Sequence, residues 1–143
     1  MADLEAALEA YAAALGAVPA GSPDWAGIQA NRGNALARRY EAQGRVEDLK
    51  AALKAYDQAL GAAPAGSLDW AGIQGNRGNA LARRYEALGQ DEDLKAALKA
   101  YDQALGAAPA GSPNWAGIQA NRGTALLRRY EAHGQVADLE AAL

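Results

Sequence analysis

An exact 45-residue period constrains this chain more than anything else in it. Trp25, Trp70 and Trp115 each open the same phrase, WAGIQANRG or WAGIQGNRG, 45 residues apart. Residues 25–69 and 70–114 differ only at Ala30/Gly75, Gln43/Leu88, Arg45/Gln90, Val46/Asp91, Leu68/Pro113 and Asp69/Asn114. A chain made of one short unit repeated in tandem folds by stacking that unit on itself, each copy burying its apolar face against its neighbours. Copies this alike come from recent duplication or from design, so their identity does not reveal which positions function requires.

Each period reads as two helices. Ser22-Pro23-Asp24 announces the first: serine caps, proline suits the first helical position, and an acid is favoured near the positive end of the helix dipole. That helix runs about 20 residues to a stop at Gly44. The second starts near Asp48, read here as its cap. It repeats Leu49, Ala52, Leu53, Tyr56, Ala59 and Leu60 at helical spacing and closes at Gly61 and Pro64, after about 13 residues. So short a helix is marginal alone and must dock on its neighbours. Alanine supplies 39 of the 143 residues, and the large aromatics are three tryptophans and six tyrosines with no phenylalanine. The core is therefore thin and made of closely spaced helices, and a sheet protein is excluded.

A wheel at 100° per residue gives the long helix three faces. Trp25, Ile28, Leu36 and Tyr40 form a bulky apolar stripe; Ala26, Ala30, Gly33 and Ala37 form a small-residue flank; Gly27, Asn31, Asn34, Arg38 and Glu41 form a polar stripe. Two faces are fit for packing, and the polar one must look outward.

These residues resemble the tetratricopeptide repeat, whose pattern is W-x2-L-G-x2-Y followed by A-x3-F and proline. Gly33 matches its glycine, and Ala52, Tyr56, Ala59 and Pro64 match its second helix. Gln29, Arg32 and Leu36 stand where the pattern has tryptophan, leucine and tyrosine. The family's 34-residue unit grows to 45 by about seven residues between Gly33 and Ala52 and about four between Pro64 and Gly78, roughly whole helical turns that keep the same faces inward. In phrase and period the array is similar to the 45-residue variant of this repeat found beside caspase-like peptidase and signalling ATPase domains. The resemblance implies an all-α, right-handed superhelical solenoid of antiparallel helix pairs, about six helices plus a partial seventh. One domain spans 1–143: a partial repeat with a short helix at 1–24, complete repeats at 25–69 and 70–114, and a truncated repeat at 115–143.

The resemblance also implies that the first helices line a concave groove, with a ladder of Asn31, Asn34, Arg38, Asn76, Asn79, Arg83, Asn121, Thr124 and Arg128 along it. Asparagine can donate to and accept from a peptide backbone, and arginine can grip a carboxylate through two parallel bonds. The function expected is a non-catalytic scaffold for a peptide or protein partner, an acidic or C-terminal segment being the natural guest. The alternative is a purely structural or designed array that only self-associates. On the plain reading of the ladder, Arg38 and Glu41 merely pair along one helix. Arg32, Arg77 and Arg122 fall on the apolar stripe, where a lone guanidinium is costly, so Asp57 and Asp102 are expected to pair with them.

No enzyme is expected. The tryptophans read as core, and Ser22, Ser67 and Ser112 as caps rather than nucleophiles. With no cysteine and the single His133, read as a solvent-facing helix-end residue, neither nucleophilic catalysis nor a metal or other cofactor is expected. A formal net charge of −3 without a lysine-rich face argues against nucleic acid. Apolar runs of four or five residues argue against a membrane partner, and an acidic first segment against a signal peptide, so the cytoplasm is the default location. Residues 137–143, ADLEAAL, repeat residues 2–8 exactly. A partial helix there leaves the preceding long helix partly uncovered, and association through the terminal helices, head to tail or swapped, is expected.

Overall fold

The structure, a computed structural model, describes residues 2–134 and 136–143. Those residues form seven helices and no strands: α1 (Ala2–Ala17), α2 (Pro23–Gln43), α3 (Val46–Ala62), α4 (Leu68–Leu88), α5 (Asp91–Ala107), α6 (Pro113–His133) and α7 (Val136–Ala142). Long helices alternate with short ones in step with the sequence period. Consecutive helices pack on each other, most extensively within α2–α3 and α4–α5, and α2, α4 and α6 also touch in succession. This is a helical solenoid.

The long-helix boundaries follow the expected chemistry. Ser22, Ser67 and Ser112 are extended and accept hydrogen bonds from the amides of Trp25, Trp70 and Trp115 at 3.2, 3.1 and 3.1 Å. Pro23 and Pro113 fill the first helical position; Leu68 does so in the middle copy. Each serine is also the last residue of a four-residue turn in which its amide bonds to the carbonyl of Pro19, Pro64 or Pro109. The third residue of that turn has φ of 80–83°, which glycine supplies without strain at Gly21, Gly66 and Gly111. At the other end Gly44, Gly89 and Gly134 adopt the left-handed conformation, and their amides close on Tyr40, Tyr85 and Tyr130.

The short helices depart from expectation. α3 and α5 each have 17 residues and run through Gly61 and Gly106 before the proline stops them. They begin two residues before Asp48 and Asp93, behind Arg45 and Gln90, which make no side-chain cap. Asp48 is therefore not the cap. It sits buried in the first turn, with its carboxylate spent on Arg39.

The buried face of the long helix is also rotated from the wheel reading. Ala26, Gln29, Gly33, Ala35 and Leu36 are buried in α2, while Trp25 is only half-buried, as are Trp70 and Trp115. The tryptophans are a flank of the core rather than its centre, although Trp115 packs against it. The reason lies across the interface. The largest fully buried side chains are Tyr56, Tyr101, Leu49 and Leu94, all from short helices, so bulk comes from the short helix and the long helix must make room. Gly33 and Gly78 make it: a Cβ there would lie 2.6 Å from the ring of Tyr56 or Tyr101. Leu36, Leu53, Ala59, Leu81, Leu98 and Leu126 join these into one core running from α2 to α6.

Candidate functional site

The long helices present a common face, and all nine ladder residues lie on it, lining three successive clefts. The first, about 400 Å³ between the N-terminal halves of α2 and α4, is bounded by Pro23, Asn31, Asn34, Ile73 and Asn76 and closed at one end by Ala63 and Pro64. Gly27 and Gly72 also line it, and a Cβ on either would meet nothing within 4 Å. The second, about 380 Å³, lies farther along the same pair and is lined by Asn34, Arg38, Asn76, Asn79 and Arg83. The third, about 310 Å³, lies between α4 and α6 and takes in Asn79, Arg83, Asn121, Thr124 and Arg128.

The ladder residues are not equivalent. Asn34 Oδ1 accepts from the Tyr56 hydroxyl at 2.7 Å and from Asn76 Nδ2 at 3.1 Å, joining α3, α2 and α4. Asn79 accepts from Tyr101 at 2.7 Å. Burial, only partly opposed by the nearby Arg38 and Arg83, pushes both phenols above their ordinary pKa, so they stay protonated as donors. The Thr124 hydroxyl donates to the carbonyl of Ala120 in its own helix. Asn31, Arg38 and Asn121 face solvent.

The arginines pair differently from the expected Arg38–Glu41 arrangement. Glu41 reaches across to Arg83 at 2.9 Å, and Glu86 to Arg128 at 3.5 Å, so the ion pairs run between repeats along the groove face. With 45% exposure on both partners of the first pair, each such tie contributes less than about 1 kcal/mol.

The expected pairing of Arg77 with Asp57 and of Arg122 with Asp102 is present, each at 2.7 Å from Nε, and links a short helix to the next long one. All four groups are partly exposed, so the arginines reach the edge of the interface rather than being interred. The equivalent partner of Arg32 is Ala12, and no ion pair to Arg32 is present among the described residues.

Sequence reasoning missed a second set of ion pairs. Arg39, Arg84 and Arg129 each grip Asp48, Asp93 and Asp138 through two nitrogens at 2.6–3.1 Å. The three aspartates are buried. The hydrogen bond from Arg129 holds the Asp138 carboxyl below its ordinary pKa against the opposing effect of burial. Only the constant nine-residue spacing from arginine to aspartate could have signalled this clamp. Gln29 and Gln74 were likewise unexpected as buried groups. Each donates to a glutamine of the short helix, Gln58 at 2.8 Å or Gln103 at 3.0 Å, and leaves its own Oε1 without a partner.

Among the described residues no three histidine, cysteine or carboxylate groups gather as a metal site, and no helix is long and apolar enough to cross a membrane. His133 stands partly exposed at the end of α6, with Nε2 3.2 Å from Asp91. No protein-family model, curated protein or solved structure matches the chain.

Proposed function

We propose that this chain is a tetratricopeptide-type, non-catalytic scaffold that binds an extended peptide or protein segment along the face of α2, α4 and α6. One observation carries the reading: the cleft of about 400 Å³ between α2 and α4 is lined by glycines that packing does not require. Glycine inside a helix costs roughly 0.5–1 kcal/mol relative to alanine, and neither Gly27 nor Gly72 is crowded by any neighbour. Gly16, Gly61, Gly106 and Gly117 are as open, and Gly27 and Gly72 differ from them in lining this cleft, where the missing Cβ leaves the helix backbone accessible to a guest. Asn31 and Asn76 line the same cleft and carry amide groups that can donate to and accept from a peptide backbone. Farther along, Arg38, Arg83 and Arg128 supply positive charge for an acidic or C-terminal guest.

The cross-repeat ties favour a second reading, in which the array is purely structural. The Tyr56–Asn34–Asn76 relay and the Glu41–Arg83 pair already give much of the ladder an internal role. Screening against a library of short peptides, free C-termini included, at low and high salt separates the two. A scaffold captures peptides; Gly27→Leu with Gly72→Leu abolishes capture while unfolding shifts to equal or higher denaturant, and alanine at Arg38, Arg83 and Arg128 removes only the acidic guests. Absence of capture, or capture indifferent to the glycine changes, overturns the proposal.

A further inference from the structure

The cleft between the N-terminal halves of α2 and α4 carries a single charge. Its lining is mostly apolar, with Pro23, Ala26, Ala30, Pro64 and Ile73 among the residues around it, and Ala26 and Ile73 are buried in the helix packing. Among the lining residues only Asp69 is ionisable. It is exposed, and its carboxylate makes neither an ion pair nor a hydrogen bond among the described residues. An acid in the first turn of a helix is favoured by the helix dipole whatever its surroundings, but this array does not need one there. The counterpart of Asp69 in α6 is Asn114, and α6 keeps its serine cap and all 21 residues with no acid in its first turn. Two of the few differences between residues 25–69 and 70–114, Ala30/Gly75 and Asp69/Asn114, fall on this lining, so the cleft has a composition of its own.

The geometry points to this cleft as a pocket for a basic side chain, lysine or arginine, of the peptide guest, an inference that rests on the scaffold reading and gives its guest a chemistry. Both side chains join an apolar stem to a cationic head and bury the first while keeping the second in water. The stem packs on the alanine, proline and isoleucine of the lining, and the missing Cβ atoms of Gly27 and Gly72 leave it room. The head meets the Asp69 carboxylate. Asn31 and Asn76 line the same cleft, and their side-chain oxygens accept no bond from the described residues, since Asn76 uses only its nitrogen, toward Asn34. They supply the further acceptors that an ammonium or guanidinium group requires. An acidic side chain in the same place would face Asp69 with no base among the lining residues.

The test is a titration of the 143-residue chain with pentapeptides blocked at both ends, alanine throughout except for lysine, arginine, norleucine or glutamate at the centre, followed by the backbone amide signals in nuclear magnetic resonance. The lysine and arginine peptides shift the amides of Gly27 and Gly72 and bind about tenfold more tightly than the norleucine peptide at low salt. Added salt narrows that margin, and the glutamate peptide binds more weakly than the norleucine one. Asp69→Asn installs the residue that α6 already carries at its own first turn, so helical circular dichroism is maintained. In that variant the margin falls below about twofold while the norleucine peptide binds as before. Equal binding of the lysine and norleucine peptides, or a margin that survives Asp69→Asn, overturns the inference and leaves the scaffold reading standing. Absence of binding by every peptide overturns both.

Discussion

The same substitution at equivalent positions of this array has opposite effects on stability. In an ordinary helix interior, glycine to alanine is worth up to about 1 kcal/mol in favour of alanine. At Gly78 that gain meets a fixed obstacle, for the new Cβ would lie 2.6 Å from Cε1 and 2.8 Å from Cδ1 of Tyr101. The ring is buried and its hydroxyl is anchored to Asn79 at 2.7 Å, so it cannot yield without losing that bond. Overpacking costs about 1–3 kcal/mol and loss of the hydrogen bond about 1 kcal/mol. After the propensity gain is subtracted, Gly78→Ala destabilises by about 1–3 kcal/mol. Gly123→Ala meets only a carbonyl at 3.4 Å and stabilises by up to about 1 kcal/mol. Urea unfolding followed by circular dichroism, at a concentration where sedimentation gives one chain, reads the difference directly. In a Tyr101→Ala background Gly78→Ala becomes neutral or favourable, which assigns the cost to the ring. If Gly78→Ala unfolds at the same urea concentration as Gly123→Ala or higher, the account of the tyrosine slot is wrong.

Further expectations concern the buried polar groups. Asp93→Asn deprives Arg84 of its bidentate partner; with the aspartate buried and the arginine about a quarter exposed, the loss is about 1–2 kcal/mol, read as a lower urea midpoint, and an unchanged midpoint would show that the clamp contributes nothing. Gln74→Met removes a buried acceptor that has no partner and frees the exposed Gln103 to bind water, so the midpoint rises by an amount on the order of 1 kcal/mol; a fall would mean that the amide pair itself stabilises the stack. The folded-state pKa of Asp138 is depressed by Arg129, so its contribution is complete above the ordinary carboxylate value and is lost as pH falls through the depressed one. Amide exchange in α7 therefore accelerates only below the ordinary aspartate range, and Asp138→Asn removes that step; acceleration at or above the ordinary value contradicts the assignment.

Much of the architecture was readable from the period alone. The serine caps and glycine stops of the long helices and the alternation of long and short helices depend on local chemistry, and local chemistry is what a repeated phrase displays; the stop expected at Gly61 fails because the short helix continues to Ala62. The pairing of Arg77 with Asp57 was also accessible, because an arginine on an apolar stripe demands a carboxylate. What a wheel drawn for one helix cannot supply is the identity of the side chain opposite. Gly33 and Trp25 therefore looked like the edge and the centre of a packing face, and Tyr56, arriving from the next helix, reverses that order. Glu41 lies beside Arg38 on the wheel, yet pairs with Arg83 because the neighbouring long helix brings that side chain closer. Asp48 has a capping residue's composition and place, and only the fold brings Arg39 over it.

The distribution of ion pairs also gives the array a mechanical character. The buried two-nitrogen clamps Arg39–Asp48, Arg84–Asp93 and Arg129–Asp138 each span a long helix and the short helix that follows it. Joints between successive pairs rely on solvent-accessible bridges such as Arg77–Asp57, Arg122–Asp102 and Glu41–Arg83. Salt weakens the second kind far more than the first. Raising the ionic strength therefore loosens the polar ties between successive helix pairs before those within a pair, and leaves the joints held by the apolar core that runs through them.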